Sequence, residues 1–586
     1  MFNLKKPKDK EFYFITFMVV ILQIILSFQG FDVCDDGFVL TFYQQIYNAP
    51  ESVEYNFVYW LSGVVGGAWY KLYENGGVLW LRFLAIIFNT FTFVVSYKIL
   101  KTFINEVYAL LGLTIVLFVN DFGFLTFYHN YITALLAVMS ISFFLKGIMK
   151  SNYNLLIIAG FLLGINVFSR IPNVTLFVFI LVIPYAWYLQ NKMVFKTITA
   201  PIFGIILGFI TVYILLLSLN QVHIMKNSLL GLVNLGKTEG SSHNVLSLFY
   251  TYLHNYIKLV VVFCQLLIFS IAILSVLHFF KNNRFIKGFV LILISLLLLY
   301  WFKSVGIFII YVIGYIGTLG VLFTKQIKQE IKLLAFLALL MMLFLPLGSS
   351  GGIRSSGYMC IWLAIPLFFH FISHLEQFSI KISLKNEIIS KDVSKNMIKF
   401  LSLFLLLIYS TQKIYSISQE AYFDQGSRFN KTYMIDSELA KGVYTTKERS
   451  VIINDLLHNL KKYVKPNDYL LTYDKIPMIH FLTETKPYMY NPWIWIYDSY
   501  SFKKNMERAE TEIDVLPVIV QQKFETIFYF SEPTEYYLND KIKDDIRYNN
   551  GFDSERVKLM NSFILRNDYE IVWSNAYFNI FKSNKK

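Results

Sequence analysis

Apolar runs of about twenty residues recur along the first 415 positions. They cover residues 12–30, 79–100, 105–120, 131–148, 153–169, 173–189, 197–219, 255–280, 286–301, 304–323, 332–347, 357–374 and 397–414. Each is long enough to cross a hydrocarbon layer about 30 Å thick, where a backbone must satisfy its own polar groups as helix or closed barrel. The pattern excludes a soluble globular chain. Only 16% of the 586 residues are charged and mean hydropathy is +0.50, against about 25% charged residues in soluble domains. The expected fold class is a polytopic α-helical membrane protein of about 13 transmembrane helices, spanning residues 1–415. A small C-terminal extracytoplasmic α/β domain follows over 416–586.

Lysine position sets the orientation. The first residues, MFNLKKPKDKE, are basic, and the run Phe12–Phe28 lacks a small-residue cleavage site, so it reads as a retained first helix. With the N-terminus cytoplasmic, the even-numbered connections KTFINE, KGIMKSNY, QNKMVFK, KNNRFIK, TKQIKQEIK and KISLKNEIISKDVSKNMIK fall inside, and every one carries lysine. The net charge of +14 is therefore orientation bias, and no nucleic-acid partner is expected. The excess of Lys, Asn, Ile, Tyr and Phe points to an AT-rich bacterial genome, and the expected location is the bacterial inner (cytoplasmic) membrane. Cys34, Cys264 and Cys360 show no metal spacing and no disulfide framework. Spans five and six are short and joined by SRIPN, which leaves a re-entrant pair open.

The opposite face carries residues 31–78, 121–130, 220–254, 348–356 and everything after about 415. Beyond Gly37, the polar residues Thr41, Gln44, Gln45 and Asn48 recur at i, i+3, i+4 and i+7, with Phe38, Phe42, Tyr43 and Ile46 opposite. That spacing predicts an amphipathic helix lying in the interface. A stop at Asn48-Ala49-Pro50-Glu51 and a second interfacial helix follow. Residues 220–254 read as a long Gly/Ser-bearing loop, a candidate lid or an ordinary exposed loop; their histidines lack HExxH spacing, so no zinc site is expected. In the tail, a helix, a turn at Pro466-Asn467-Asp468, a buried strand at Tyr469–Tyr473 and a further helix are expected. A strand at FETIFYF and a terminal hairpin around Ser574-Asn575 complete it.

Two residue sets carry chemistry. Asp32, Asp35 and Asp36 cluster at the mouth of the first span, and Asp121 lies in the second outer loop with His129 close by. A solvated helix terminus would explain the first cluster alone; two acidic loops on one face can converge on one site. Of the four arginines in the first 415 residues, Arg284 is inside, whereas Arg82, Arg170 and Arg354 map to outer span ends or loops. An arginine costs about 2.5–3.5 kcal/mol at a helix centre and less toward the interface. Its planar fork suits phosphate, although each could instead snorkel to headgroups. Arg354 sits in PLGSSGGIRSSG, whose backbone N–H groups and hydroxyls suit an anion.

The motif CDDGFVLTFYQQI, the interfacial helices after it, the acidic loop at Asp121, the thirteen-span layout and the tail YVKPNDYLLTYDKIPMIHFLTETKPYMY together resemble the GT-C superfamily of membrane glycosyltransferases. The likeness is nearest to its protein mannosyltransferase and lipid A aminoarabinose transferase branch. It covers nearly the whole chain, though each motif is short. The resemblance implies that Asp35 matches the first acid of the family motif, which activates the acceptor hydroxyl. Asp36 stands where the family has Glu, Asp121 matches the second acidic motif, and Arg354 matches loosely.

The implied activity is an inverting transfer of a hexosyl or pentosyl group from a polyprenyl-phosphate-linked donor to a hydroxyl of a glycan, lipid or protein acceptor. Asp35 and Asp36 are the expected catalytic residues; Asp121, His129, Arg82, Arg170 and Arg354 are expected to bind substrate. No metal and no cofactor are expected, with a divalent cation between Asp35 and Asp121 left open. A lipid-linked glycan flippase and an O-antigen-type polymerase are the alternatives. The first would put charges at mid-span, and the second would need neither the tail nor the early acid pair.

Overall fold

A computed structural model describes residues 9–119, 125–190, 194–237, 244–280, 282–375, 378–384, 387–523 and 554–585. All thirteen apolar stretches coincide with helices. They are α1 (Asp9–Ser27), α4 (Gly77–Leu100), α5 (Glu106–Phe118), α6 (His129–Met149), α7 (Tyr153–Asn166), a 3₁₀ helix Ile171–Leu181 running into α8 (Val182–Gln190), α9 (Lys196–Ser218), α11 (Val245–Phe279), α12 (Arg284–Val305), α13 (Ile307–Phe323), α14 (Gln329–Phe344), the pair α15 (Ile353–Cys360) and α16 (Ala364–His374), and α17 (Lys395–Gln419). Among the described residues eight helices are long and apolar enough to cross a membrane, or nine if α15 and α16, bent by 64°, form one broken span. The chain is an integral membrane protein of the polytopic helical class. The break falls there rather than at SRIPN, where residues 171–190 are long and apolar enough to span.

Small residues let some of these helices meet closely. A Cβ at Gly160 would stand 1.9 Å from Pro201 O, and one at Gly204 would stand 2.0 Å from Ile157 O, so α7 and α9 touch backbone to backbone. In lipid, where apolar burial gives helices no net attraction, such close packing is what holds them together.

The first loop is more deeply built than the sequence predicts. The helix α2 (Asp35–Gln45), a 3₁₀ helix Pro50–Tyr59 and α3 (Trp60–Leu72) fill it. The polar stripe of α2 does not lie in an interface. Thr41, Gln44 and Gln45 are buried against the tail: Gln44 Nε2 donates to Phe481 O at 3.3 Å and Gln45 Nε2 to Thr485 O at 3.4 Å. Polar residues spaced for water have found backbone carbonyls instead. Within 220–254 the sequence reading expects a loop, but most of the described residues belong to α10 (Val222–Lys237) and the start of α11; residues 238–243 lie outside the described residues.

Between α16 and α17 a hairpin pairs β1 (Phe378–Leu384) with β2 (Glu387–Val393). A short pair, β3 (Tyr433–Met434) and β4 (Tyr444–Thr445), opens the tail. Then come α18 (Lys447–Leu460), β5 (Tyr469–Tyr473), α19 (Met478–Thr483), β6 (Lys486–Pro487), α20 (Ser499–Glu512), β7 (Val518–Gln522), α21 (Ser554–Arg566) and the hairpin β8 (Tyr569–Ser574) and β9 (Phe578–Ser583). The sheet order is β6-β5-β7-β9-β8, parallel through β7 and antiparallel beyond. The expected strand and hairpin are where the sequence places them; FETIFYF lies outside the described residues. One apolar cluster runs from Phe31, Phe38 and Phe42 of the first loop to Leu470, Met478 and Ile580 of the tail, so loop and tail share a core.

Candidate functional site

The stretch leaving α1 is pinned by the tail before α2 begins. Tyr444 N donates to Phe28 O at 2.7 Å, Gly30 N to Tyr444 O at 2.8 Å and Met478 N to Val33 O at 3.1 Å. Asp424 accepts Phe31 N and Thr445 Oγ1, both at 2.8 Å, with Lys431 Nζ 3.2 Å from its other oxygen. Burial pushes this carboxyl up, but Arg449 and Lys431 beside it, with the bonds from Phe31 and Thr445, hold it below the usual carboxylate range.

Held in this way, the three acids meet three environments. Asp32 Oδ1 accepts Cys34 N at 2.7 Å and Oδ2 accepts Asp36 N at 2.8 Å, satisfying N–H groups at the start of α2 that have no partner within the helix. Burial first, then the charges of Asp36 and Asp35, push its pKa well up. Asp36 is buried against Arg82, whose Nη2 lies 3.1 Å away; burial raises it, opposed by that guanidinium. Asp35 is half-buried and accepts a 2.5 Å hydrogen bond from Tyr422 OH, just past α17. Burial raises it to about 6, with Asp36 adding and the Tyr422 bond opposing. A carboxyl at that value is ionised near neutrality yet still basic enough to take a proton.

Arg82 is fully engaged. Nη1 donates to Ser27 O at 2.6 Å, Nη2 to Gly30 O at 2.7 Å and Nε to Thr126 Oγ1 at 3.5 Å. The sequence reading expects it to bind substrate; in the structure its donors fasten α4 to the end of α1 and to Asp36. Arg170, between α7 and the 3₁₀ helix that follows, is different. It is buried, and its Nη1 has no hydrogen-bond partner among the described residues. Tyr59, Tyr128 and Tyr358 lie within electrostatic reach of both Arg170 and Asp35. His129, at the start of α6, stacks on Tyr59 with ring centroids 4.1 Å apart, and its buried Nδ1 also lacks a partner. Asp35, His129 and Arg170 are thus gathered around shared tyrosines.

Arg354 is not gathered there. It is exposed on α15, with its guanidinium 6.0 Å from the Phe308 ring centroid and Lys258 Nζ 4.6 Å from the same ring. Tyr358, one turn further, faces the cluster in its place. Asp121 lies outside the described residues. Among the described residues no group of three His, Cys, Asp or Glu side chains could hold a metal ion. Sequence reasoning missed Tyr422, Tyr59, Tyr128 and Tyr358. Aromatic residues make up 18% of the chain, so no single tyrosine stands out.

Fold and site together define a polytopic helical membrane protein whose tail closes over a buried cluster of acids, tyrosines and arginine. Among solved structures, its chain is similar to ArnT from Cupriavidus metallidurans. The apo structure matches at 11% identity with a TM-score of 0.39, and the structure bound to undecaprenyl phosphate at 10% identity with a TM-score of 0.35; each match covers 98% of both chains. No protein-family model and no curated protein matches the sequence. Residue roles therefore rest on the geometry.

Proposed function

We propose that the protein is a glycosyltransferase that moves a sugar from a polyprenyl-phosphate-linked donor to an acceptor hydroxyl on the tail-side, extracytoplasmic face, with inversion. One observation carries the reading. A half-buried carboxyl raised to about 6 shares its tyrosines with two buried nitrogens, Arg170 Nη1 and His129 Nδ1, that have no partner among the described residues. A buried unsatisfied donor costs about 1–3 kcal/mol, more when charged, and an incoming phosphate removes that cost.

In this reading Asp35 takes the proton of the acceptor hydroxyl as its oxygen attacks the anomeric carbon from the face opposite the phosphate. The bond from anomeric carbon to phosphate oxygen breaks, and its electron pair leaves with the polyprenyl phosphate. Arg170 stabilises the growing negative charge, and His129 donates a hydrogen bond to it. The polyprenyl chain lies in the apolar groove of about 560 Å³ between α9 and α10, whose wall includes Phe168, two residues before Arg170. Positioning of the two reactants supplies much of the remaining acceleration.

Purified protein supplied with a polyprenyl-phosphate sugar tests this. Asp35→Asn lowers turnover by about 10²–10⁴-fold while donor binding is retained. Near-wild-type turnover removes Asp35 from catalysis. Movement of the lipid between leaflets without a new glycosidic bond, or growth of a polymer, favours the flippase or polymerase instead.

A further inference from the structure

A second polar cleft, of about 270 Å³, opens where the first loop, α10 and α20 meet. Its frame is a closed ion network. Arg508 donates to Glu54 through Nη1 at 2.8 Å and Nη2 at 3.2 Å, and to Glu512 through Nε at 3.0 Å. Asn227 Nδ2 donates to Glu54 Oε2 at 3.2 Å, and Tyr490 OH to Glu512 at 2.7 Å. Arg508 and Lys504, which also lines the cleft, are set against Glu54 and Glu512, so the lining carries no net charge and exerts little pull on an anion. Ser228 lies in the wall: its residue is 5% exposed, and its buried Oγ has no partner among the described residues. A covered hydroxyl in that state calls for a ligand or water that can both donate and accept. Tyr55 and Tyr497 meet edge to face at 5.8 Å, and Tyr500 completes an aromatic wall.

We propose that this cleft binds an uncharged, hydroxyl-rich sugar residue and that, in the transfer reaction, this sugar belongs to the acceptor. Amide and hydroxyl groups from Asn227, Ser228 and Asn505 suit the mixed donor and acceptor character of sugar hydroxyls, and tyrosine rings suit the apolar faces of a sugar ring. The volume is just under the roughly 300 Å³ at which drug-sized clefts begin, which fits a small saccharide. A continuous line of ring contacts joins the cleft to the acid. Tyr55 meets Phe38 at 6.3 Å, Phe38 meets Tyr59 at 6.3 Å and Tyr59 stacks on His129. Phe38 sits one turn beyond Asp35 on α2. The cleft and the apolar groove assigned to the donor lie against the same helix, α10, and share Leu230. The acceptor assignment rests on the transferase reading; sugar binding itself does not.

The test uses full-length protein in a detergent without a sugar headgroup. Glucose, galactose, mannose, arabinose and N-acetylglucosamine are offered singly, with binding read by saturation-transfer NMR and titration. At least one binds, and Tyr500→Ala and Asn505→Ala each weaken it tenfold or more without moving the melting temperature. Asp35→Asn binds it as the wild type does. No binding by any of the five sugars, or binding that survives both cleft variants, overturns the site. If the bound sugar competes with the donor rather than the acceptor during turnover, the acceptor assignment falls. Sugar binding by a wild-type protein that transfers no sugar from a polyprenyl-phosphate donor sinks the transferase reading and leaves the cleft standing.

Discussion

Asp32, Asp35 and Asp36 are neighbours in sequence but do different work, because each finds a different partner within about 3 Å. Asp32 bonds the backbone, Asp36 bonds Arg82, and Asp35 bonds Tyr422. The Tyr422 bond favours the charged form of Asp35 and so opposes the rise caused by burial. If Asp35 is the base, activity rises with pH through about 6 as it ionises. Tyr422→Phe removes a stabiliser of the carboxylate, so the acid limb of the pH–rate profile moves to higher pH. A limb left in place, or moved to lower pH, contradicts the assignment. The arginines predict a second contrast. Arg82→Leu leaves Asp36 buried without its ion partner and lowers stability by about 3–5 kcal/mol, read as a large fall in melting temperature. Arg170→Leu removes a cation whose Nη1 is unmatched. Its melting temperature holds or rises, while the KM for donor increases at least tenfold. Equal destabilisation by both substitutions would mean that Arg170 is structural.

At the scale of elements, α2 is where the first loop and the tail become one body. Its Gly37 faces the start of α19: a Cβ there would stand 2.0 Å from Met478 N and 2.4 Å from Met478 Cα. Backbone cannot yield as a side chain can, so Gly37→Ala forces α2 and α19 apart. Overpacking of this kind costs about 1–3 kcal/mol. Because Asp35 is the first residue of α2, turnover falls with stability. Gly288→Ala on α12, where nothing lies within 4 Å, is the control: turnover is unchanged and stability holds or rises slightly, since alanine favours helix over glycine. A thermal melt and a transfer assay on the two variants settle it, and a Gly37→Ala enzyme that behaves like the control refutes the packing argument.

For the molecule as a whole, Asp424 is the fastening between membrane body and tail, joining Phe31, Thr445, Lys431 and Arg449. Its pKa is lower folded than unfolded. Its stabilisation is therefore complete above the unfolded value of about 3.9 and is lost as pH falls through the lower, folded value. Asp424→Asn costs about 3–5 kcal/mol by leaving cations buried without their counter-charge, and limited proteolysis cuts the run between Phe28 and Asp36 faster. In the wild type the same sensitivity appears only in strong acid, below about pH 4. Unchanged proteolysis of the variant at neutral pH would place the fastening elsewhere.

The sequence by itself determined the thirteen apolar helices, the strand Tyr469–Tyr473 and the terminal hairpin. Those follow from local periodicity and from the demand that backbone inside hydrocarbon bond to itself. It also pointed to the acid cluster and, without choosing among them, to Arg82, Arg170 and Arg354, because charges at span ends are costly enough to stand out. Only the tertiary structure decided which charges are matched. Arg82 meets Asp36 across 46 positions and Tyr422 meets Asp35 across 387, separations that no local pattern encodes. The polar stripe of α2 reads as a face for water, yet it meets tail carbonyls, since a hydrogen-bonding residue is satisfied by either partner. Which buried polar atoms stay unmatched, among them Arg170 Nη1, His129 Nδ1 and Ser228 Oγ, becomes visible only once the chain is folded and its long-range partners are in place.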